Sequence, residues 1–64
     1  MEGPVALYLT EKKTSKRIDM SPSALRKWRR QGFGPPYIKI GRLIRYPVVE
    51  LDNWLLANLK KQSL

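Results

Sequence analysis

The chain has 64 residues, with 13 Lys or Arg against five Asp or Glu and a net charge of +8, which leaves room for one domain built on one small core. It contains no Cys and no His, which excludes a disulfide framework, thiolate chemistry, and the commonest metal ligand and general base. The five carboxylates are, Glu50 and Asp52 excepted, far apart in the sequence, so an enzyme, a metal site or a cofactor site is not expected.

The charge is concentrated. Residues 1–11 carry only Glu2 and Glu11, and residues 46–64 balance Glu50 and Asp52 against Lys60 and Lys61. Residues 12–45 hold eleven Lys or Arg against Asp19 alone, and a field of that kind attracts a polyanion and speeds its association. Nucleic acid is the first candidate. An anionic membrane surface would need a broad apolar helix face beside the basic one, which the basic centre lacks. No apolar run approaches the roughly 20 residues that span a bilayer, and the first residues lack the layout of a signal peptide. A soluble cytoplasmic protein, associated with the nucleoid of a prokaryote or its phage, is the expectation.

Residues 1–8 read as a short lead-in, with Met1 to Ala6 as a fraying end, and Val5, Leu7 and, just past it, Leu9 are compatible with a brief extended segment. A first helix is expected from Glu11 to Ile18, with Thr10 as its N-cap, Leu9 in the staple position and Glu11 in the first turn. Its apolar face is thin, since Lys12, Lys13, Lys16 and Arg17 leave Ile18 with the small Thr14 and Ser15 to pack.

A second helix is better marked, from Pro22 to Gln31. Ser21 caps it, Pro22 suits the first helical position and Gly32 the left-handed residue past its end. At about 100° per residue, Ser21, Ala24, Leu25 and Trp28 share one side, while Ser23, Arg26, Lys27 and Arg30 lie opposite with Arg29 on the flank. Only Asp19 and Met20 separate Ile18 from the cap, the short connection of a helix-turn-helix.

Pro35 and Pro36 then exclude a helix, and Tyr37–Ile40 and Leu43–Tyr46 read as two strands joined by a Gly41-Arg42 turn of type II′. That register puts Tyr37, Tyr46, Lys39 and Ile44 on one face and Ile38, Ile40, Leu43 and Arg45 on the other; neither face is cleanly apolar, which leaves a different register or a bulge open. A third helix is expected from Val48 to Lys61, with Pro47 near its start, Glu50 and Asp52 early, Lys60 and Lys61 late, and a buried stripe of Leu51, Trp54, Leu55 and Leu59. The order is mainly α with a small β component: helix, turn, basic helix, two-stranded wing, closing helix. It spans residues 9–61 as one winged helix-turn-helix domain, with 62–64 as a tail.

The stretch "LRKWRRQGFGPPYIKIGRLIRYPVVELDNWL", residues 25–55, resembles the excisionase and AlpA-like small regulators, a branch of the MerR-type winged-helix DNA-binding domains. The likeness rests on L-R-x-W-R-x-x-G, then G-P-P-Y-x-K, then G-x-x-V/I-R-Y and L-x-x-W-L, in order and at matching spacing over about half the chain. The chain departs from that pattern in "TEKKTSKRIDMS", where Arg17 stands at an apolar position and Asp19 at the turn glycine, which leaves the packing of the first helix open. Trp28, Trp54, Tyr37, Tyr46, Leu25 and Leu51 are expected in the core.

The resemblance implies double-stranded DNA as partner. Together with helix-turn-helix docking geometry it puts Ser23, Arg26, Lys27 and Arg30 in the major groove, with Arg26 and Arg30 on bases. The wing would bring Gly41 and Arg42, with Lys39 and Arg45 behind, to the minor groove or backbone, and Lys12, Lys13 and Lys16 would meet phosphates. Arg29 reads equally as a phosphate contact or as cover for the apolar seam. A transcriptional regulator or a recombination directionality factor of a phage or mobile element fits, with RNA polymerase or an integrase as protein partner and several copies side by side on repeated sites. A basic RNA- or ribosome-associated protein and the DNA-binding portion of a recombinase are the other readings.

Overall fold

The computed structural model describes residues 7–59. Its elements run β1 (Tyr8–Leu9), α1 (Glu11–Arg17), α2 (Pro22–Arg30), β2 (Ile38–Ile40), β3 (Leu43–Pro47) and α3 (Val48–Ala57). The three strands form an antiparallel sheet in the order β1-β3-β2, and the whole is a winged helix-turn-helix. No helix among the described residues is long and apolar enough to cross a membrane.

The helix ends follow from local chemistry. Thr10 and Ser21 accept the Lys13 and Ala24 backbone N–H groups, each at 3.1 Å, satisfying donors that a helix start leaves open. Both α1 and α2 close with the same C-terminal arrangement. Past α1, Asp19 N–H donates to the Lys16 carbonyl and Met20 N–H to that of Ser15; past α2, Gly32 donates to Arg29 and Phe33 to Trp28. Each closure needs a left-handed residue just beyond the cap. Gly32 supplies it at φ 69° and Asp19, the departure from the resembled pattern, at φ 57°. Asp tolerates that conformation better than most residues, so the turn between α1 and α2 survives without its glycine. The other departure, Arg17, leaves the core and pairs with Asp52 of α3, Nε to Oδ1 at 3.2 Å and Nη2 to Oδ2 at 3.0 Å.

In the hairpin, Ile38 faces Arg45, Lys39 faces Ile44 and Ile40 faces Leu43, the register expected from a two-residue turn. The extended segment expected around Leu7 and Leu9 joins the wing as a third strand, a pairing that the sequence does not announce. Tyr8 and Leu9 pair with Pro47 and Tyr46, and Val48 N–H donates to the Leu7 carbonyl at 2.9 Å. Two residues are too few to show alternation, although Tyr8 is exposed and Leu9 buried as alternation requires.

Leu9, Leu25, Tyr46 and Leu51 form the apolar core. Thr14 and Ser15 are buried beside them, the small residues by which α1 approaches closely enough to pack. Trp28 of α2 meets Trp54 of α3 at 5.7 Å between ring centroids and Phe33 edge-on at 5.3 Å. Three expectations about burial are corrected. Both tryptophans are half-buried rather than enclosed, because they form the seam where α2 meets α3 at the surface of a small domain. Tyr37 is 42% exposed: it lies over Tyr46 on one side only, at 6.1 Å. Leu55 is 36% exposed within α3, and Leu59 is exposed because α3 ends at Ala57 instead of Lys61. Asn58 turns its side-chain amide back to the Trp54 carbonyl at 2.8 Å and caps the helix, so the stripe does not continue to Leu59. Residues 1–6 and 60–64, including Val5, Lys60 and Lys61, lie outside the described residues. The other sheet face carries Tyr8, Ile38, Ile40 and Leu43, all exposed. Tyr8, Ile38 and Ile40 line a shallow groove there with Arg45.

Two substitutions test this packing. Gly34 has φ 98°, and a Cβ there would lie 2.8 Å from Trp28 Cε3 and 3.0 Å from Trp28 Cβ. Gly34→Ala is expected to cost about 2–4 kcal/mol in a urea unfolding curve, from backbone strain and overpacking together. The buried Thr14 Oγ1 makes no hydrogen bond among the described residues, and leaving such a group unpaired costs about 1–3 kcal/mol. Thr14→Val is therefore expected to raise the unfolding midpoint, and a lowered midpoint would show that the hydroxyl has a partner.

Candidate nucleic-acid interface

The surface of α2 follows from its buried side. Leu25 is fully enclosed and Trp28 is held between Phe33 and Trp54, so the helix cannot rotate without breaking the core. Ser23, Arg26, Lys27 and Arg30 are in consequence all exposed, on the face opposite Leu25. The connection Ile18–Ser21 sets α1 across the start of α2, with Lys12, Lys13 and Lys16 exposed along it. At the wing, Gly41 and Arg42 form an exposed tip. The two basic residues behind it separate: Lys39 pairs with Ile44 across the strands and Arg45 with Ile38, so they lie on opposite faces of the sheet. Arg45 is half-buried and donates from Nη1 to the Ile44 carbonyl at 2.7 Å.

Arg29 turns inward. Its Nη1 donates to the Tyr46 hydroxyl at 2.8 Å and lies 2.7 Å from Glu11 Oε1, and its guanidinium carbon is 5.8 Å from the centre of the Tyr37 ring. Burial works against its charge, but the bonds to Tyr46 and Glu11 outweigh that and hold its pKa above the ordinary arginine value. The side chain thus covers the seam between α2 and β3 and satisfies the polar end of a fully buried tyrosine.

Glu11 was read from sequence only as a first-turn acid. Its second oxygen, Oε2, lies 2.7 Å from Arg26 Nη1, while Arg26 Nη2 donates to Ser23 Oγ at 3.2 Å. One carboxylate therefore bridges an outward arginine and an inward one. Glu11 and Arg26 are 15 residues apart, across a turn, and the sequence signal for the bridge is faint: Arg26 and Arg29 stand three apart on one helix, where they can share a partner.

What this arrangement can do chemically is present cations on an exposed surface: a row along α2, a second along α1 and a point at the wing tip. Such a surface neutralises phosphates and offers arginine donors to base edges.

No curated protein matches the chain. Residues 8–59 match the model of the helix-turn-helix domain family HTH_17, which includes AlpA-like excisionase-type regulators. That match covers most of the chain, from β1 to just past the α3 cap, and with the exposed basic face of α2 it leads to one conclusion: the chain belongs to this helix-turn-helix domain family and is a DNA-binding domain.

Proposed function

We propose that the domain reads duplex DNA by laying α2 in the major groove, with Arg26 and Arg30 on base edges and Ser23 and Lys27 on bases or flanking phosphates. Lys12, Lys13 and Lys16 anchor α1 to the backbone, and Arg42 at the wing tip enters the adjacent minor groove with Lys39 and Arg45 in support. Arg29 acts from beneath, by fixing the helix that carries the readers. The observation that carries this reading is the exposed row Ser23, Arg26, Lys27 and Arg30 on a helix capped at both ends and locked by Leu25 and Trp28. The chain is non-enzymatic in this reading, and its place is with the nucleoid.

At a finer level the domain is an excisionase or a transcriptional regulator of a phage or mobile element, of the MerR-type branch. A single reading head covers few base pairs, so specificity comes from several copies on repeated sites or from a partner already on the DNA, an integrase or RNA polymerase. A reconstituted excision reaction with the element's integrase separates the two roles. Excision that depends on the protein supports the directionality role, and control of a promoter reporter without an effect on recombination supports the regulator.

Binding to a duplex enriched from a random-sequence library, and to a scrambled duplex of the same composition, tests the interface. The logarithm of the binding constant is expected to fall against that of salt concentration with a slope of about −0.9 per phosphate contacted; a flat dependence excludes the interface. Arg30→Ala is expected to cost about 1–3 kcal/mol on the enriched duplex and less on the scrambled one, whereas Lys13→Ala weakens both alike. Equal losses on both duplexes for Arg30→Ala would remove it from the base-reading set.

A further inference from the structure

The five carboxylates of a chain with net charge +8 are expected to stay clear of a surface meant for phosphates, yet Glu11 sits at the edge of that surface with both oxygens engaged. Oε1 faces Arg29 and Oε2 faces Arg26, each at 2.7 Å. Arg29 is anchored in turn to the hydroxyl of Tyr46, which is fully buried. The carboxylate is thereby tied to the core through Arg29. Arg26 is held from two sides, by Glu11 on Nη1 and by Ser23 on Nη2.

Two of the five guanidinium N–H donors are occupied in that arrangement, which leaves three free in a fixed plane. A free arginine on a basic helix satisfies itself on any phosphate, and such a contact carries no sequence information. An arginine whose plane is fixed beside a carboxylate meets two conditions that favour a base edge over the backbone. The nearby negative charge repels an approaching phosphate, and the remaining donors keep the fork geometry that matches guanine O6 and N7. Arg30 and Lys27 have no ion-pair partner among the described residues, so nothing comparable restrains them.

We propose that Glu11 is a specificity-determining positioning residue: by holding Arg26 between itself and Ser23, and by repelling phosphates from it, Glu11 restricts Arg26 to base contact and lowers affinity for DNA of the wrong sequence. The proposal rests on the reading of Arg26 as a base contact. A residue that merely pinned α1 to α2 would affect stability, and with it both kinds of binding equally.

The test compares the wild-type chain with Glu11→Gln, Arg26→Ala and the double variant, on the library-enriched and scrambled duplexes, with a thermal melt of each protein beside the binding curves. Glu11→Gln is expected to bind the scrambled duplex about threefold more tightly and with a salt slope steeper by about 0.9, as for one added phosphate contact. The ratio of enriched to scrambled affinity is expected to fall about fivefold, the upper range for an exposed ion pair. In the double variant the ratio is expected to equal that of Arg26→Ala. Glu11→Asp, which keeps the charge but draws it back by one methylene, is the second variant should Glu11→Gln melt below the assay temperature, and its ratio is expected to fall as well. If Arg26→Ala lowers the ratio and the folded Glu11 variants leave it unchanged, the role of Glu11 is refuted and base reading by Arg26 stands. If Arg26→Ala itself leaves the ratio unchanged, both are refuted.

Discussion

The polar end of one buried side chain governs this structure. Tyr46 stands on the central strand with no exposed surface, its ring against Tyr37 and its backbone paired with Leu9. A hydroxyl left unpaired at that depth is costly. This one finds Arg29, which brings a charge that needs its own neutralisation, and Glu11 provides it. The chain of bonds from Tyr46 through Arg29 and Glu11 to Arg26 joins the sheet, α2 and α1. In a domain whose apolar core is Leu9, Leu25, Tyr46 and Leu51, a polar tie of this kind fixes the angle between elements that so little apolar surface would leave loose.

The remaining ties are weaker and lie further out. Arg17 and Asp52 hold α1 to α3 with favourable paired geometry, but both side chains are nearly half exposed, where such pairs contribute about 0.2–1 kcal/mol. The tryptophan seam does more. Trp28 is bracketed by Phe33 and Trp54 and backed by Gly34, so the segment leaving α2 is pressed against the helix it has just left. Pro35 is buried there, which sets the direction in which the chain enters the wing.

How much of this was legible in the sequence depends on the range of each interaction. The caps at Thr10 and Ser21, the stop at Gly32 and the hairpin register are set by residues within a few positions of one another, and local pattern is enough to read them. The basic face of α2 was legible for the same reason. The extended run at β1 was legible but its place in the sheet was not, since that depends on Tyr46 and Pro47 lying beside it. Nor was the end of α3, where one side-chain hydrogen bond from Asn58 overrides an apolar spacing that continues to Leu59. Glu11 was hidden most thoroughly, because both its partners lie on another helix. Asp19 shows the converse: its departure from the resembled pattern leaves the packing of the first helix open in the sequence, whereas the backbone keeps the turn and places the aspartate in the glycine's conformation.

The strand order leaves β2 with one side unpaired among the described residues, and Ile38 and Ile40 on it are exposed beside Tyr8 and Leu43. An open edge flanked by apolar side chains is a template for joining another strand, and natural sheets guard such edges by keeping them short and placing lysine on them. Here the edge is three residues long with Lys39 at its centre. In that position Lys39 guards the edge, independently of any nucleic acid. Two copies meeting edge to edge would bring their lysines together, so the charge that draws the protein towards a polyanion also keeps its wing from templating an aggregate.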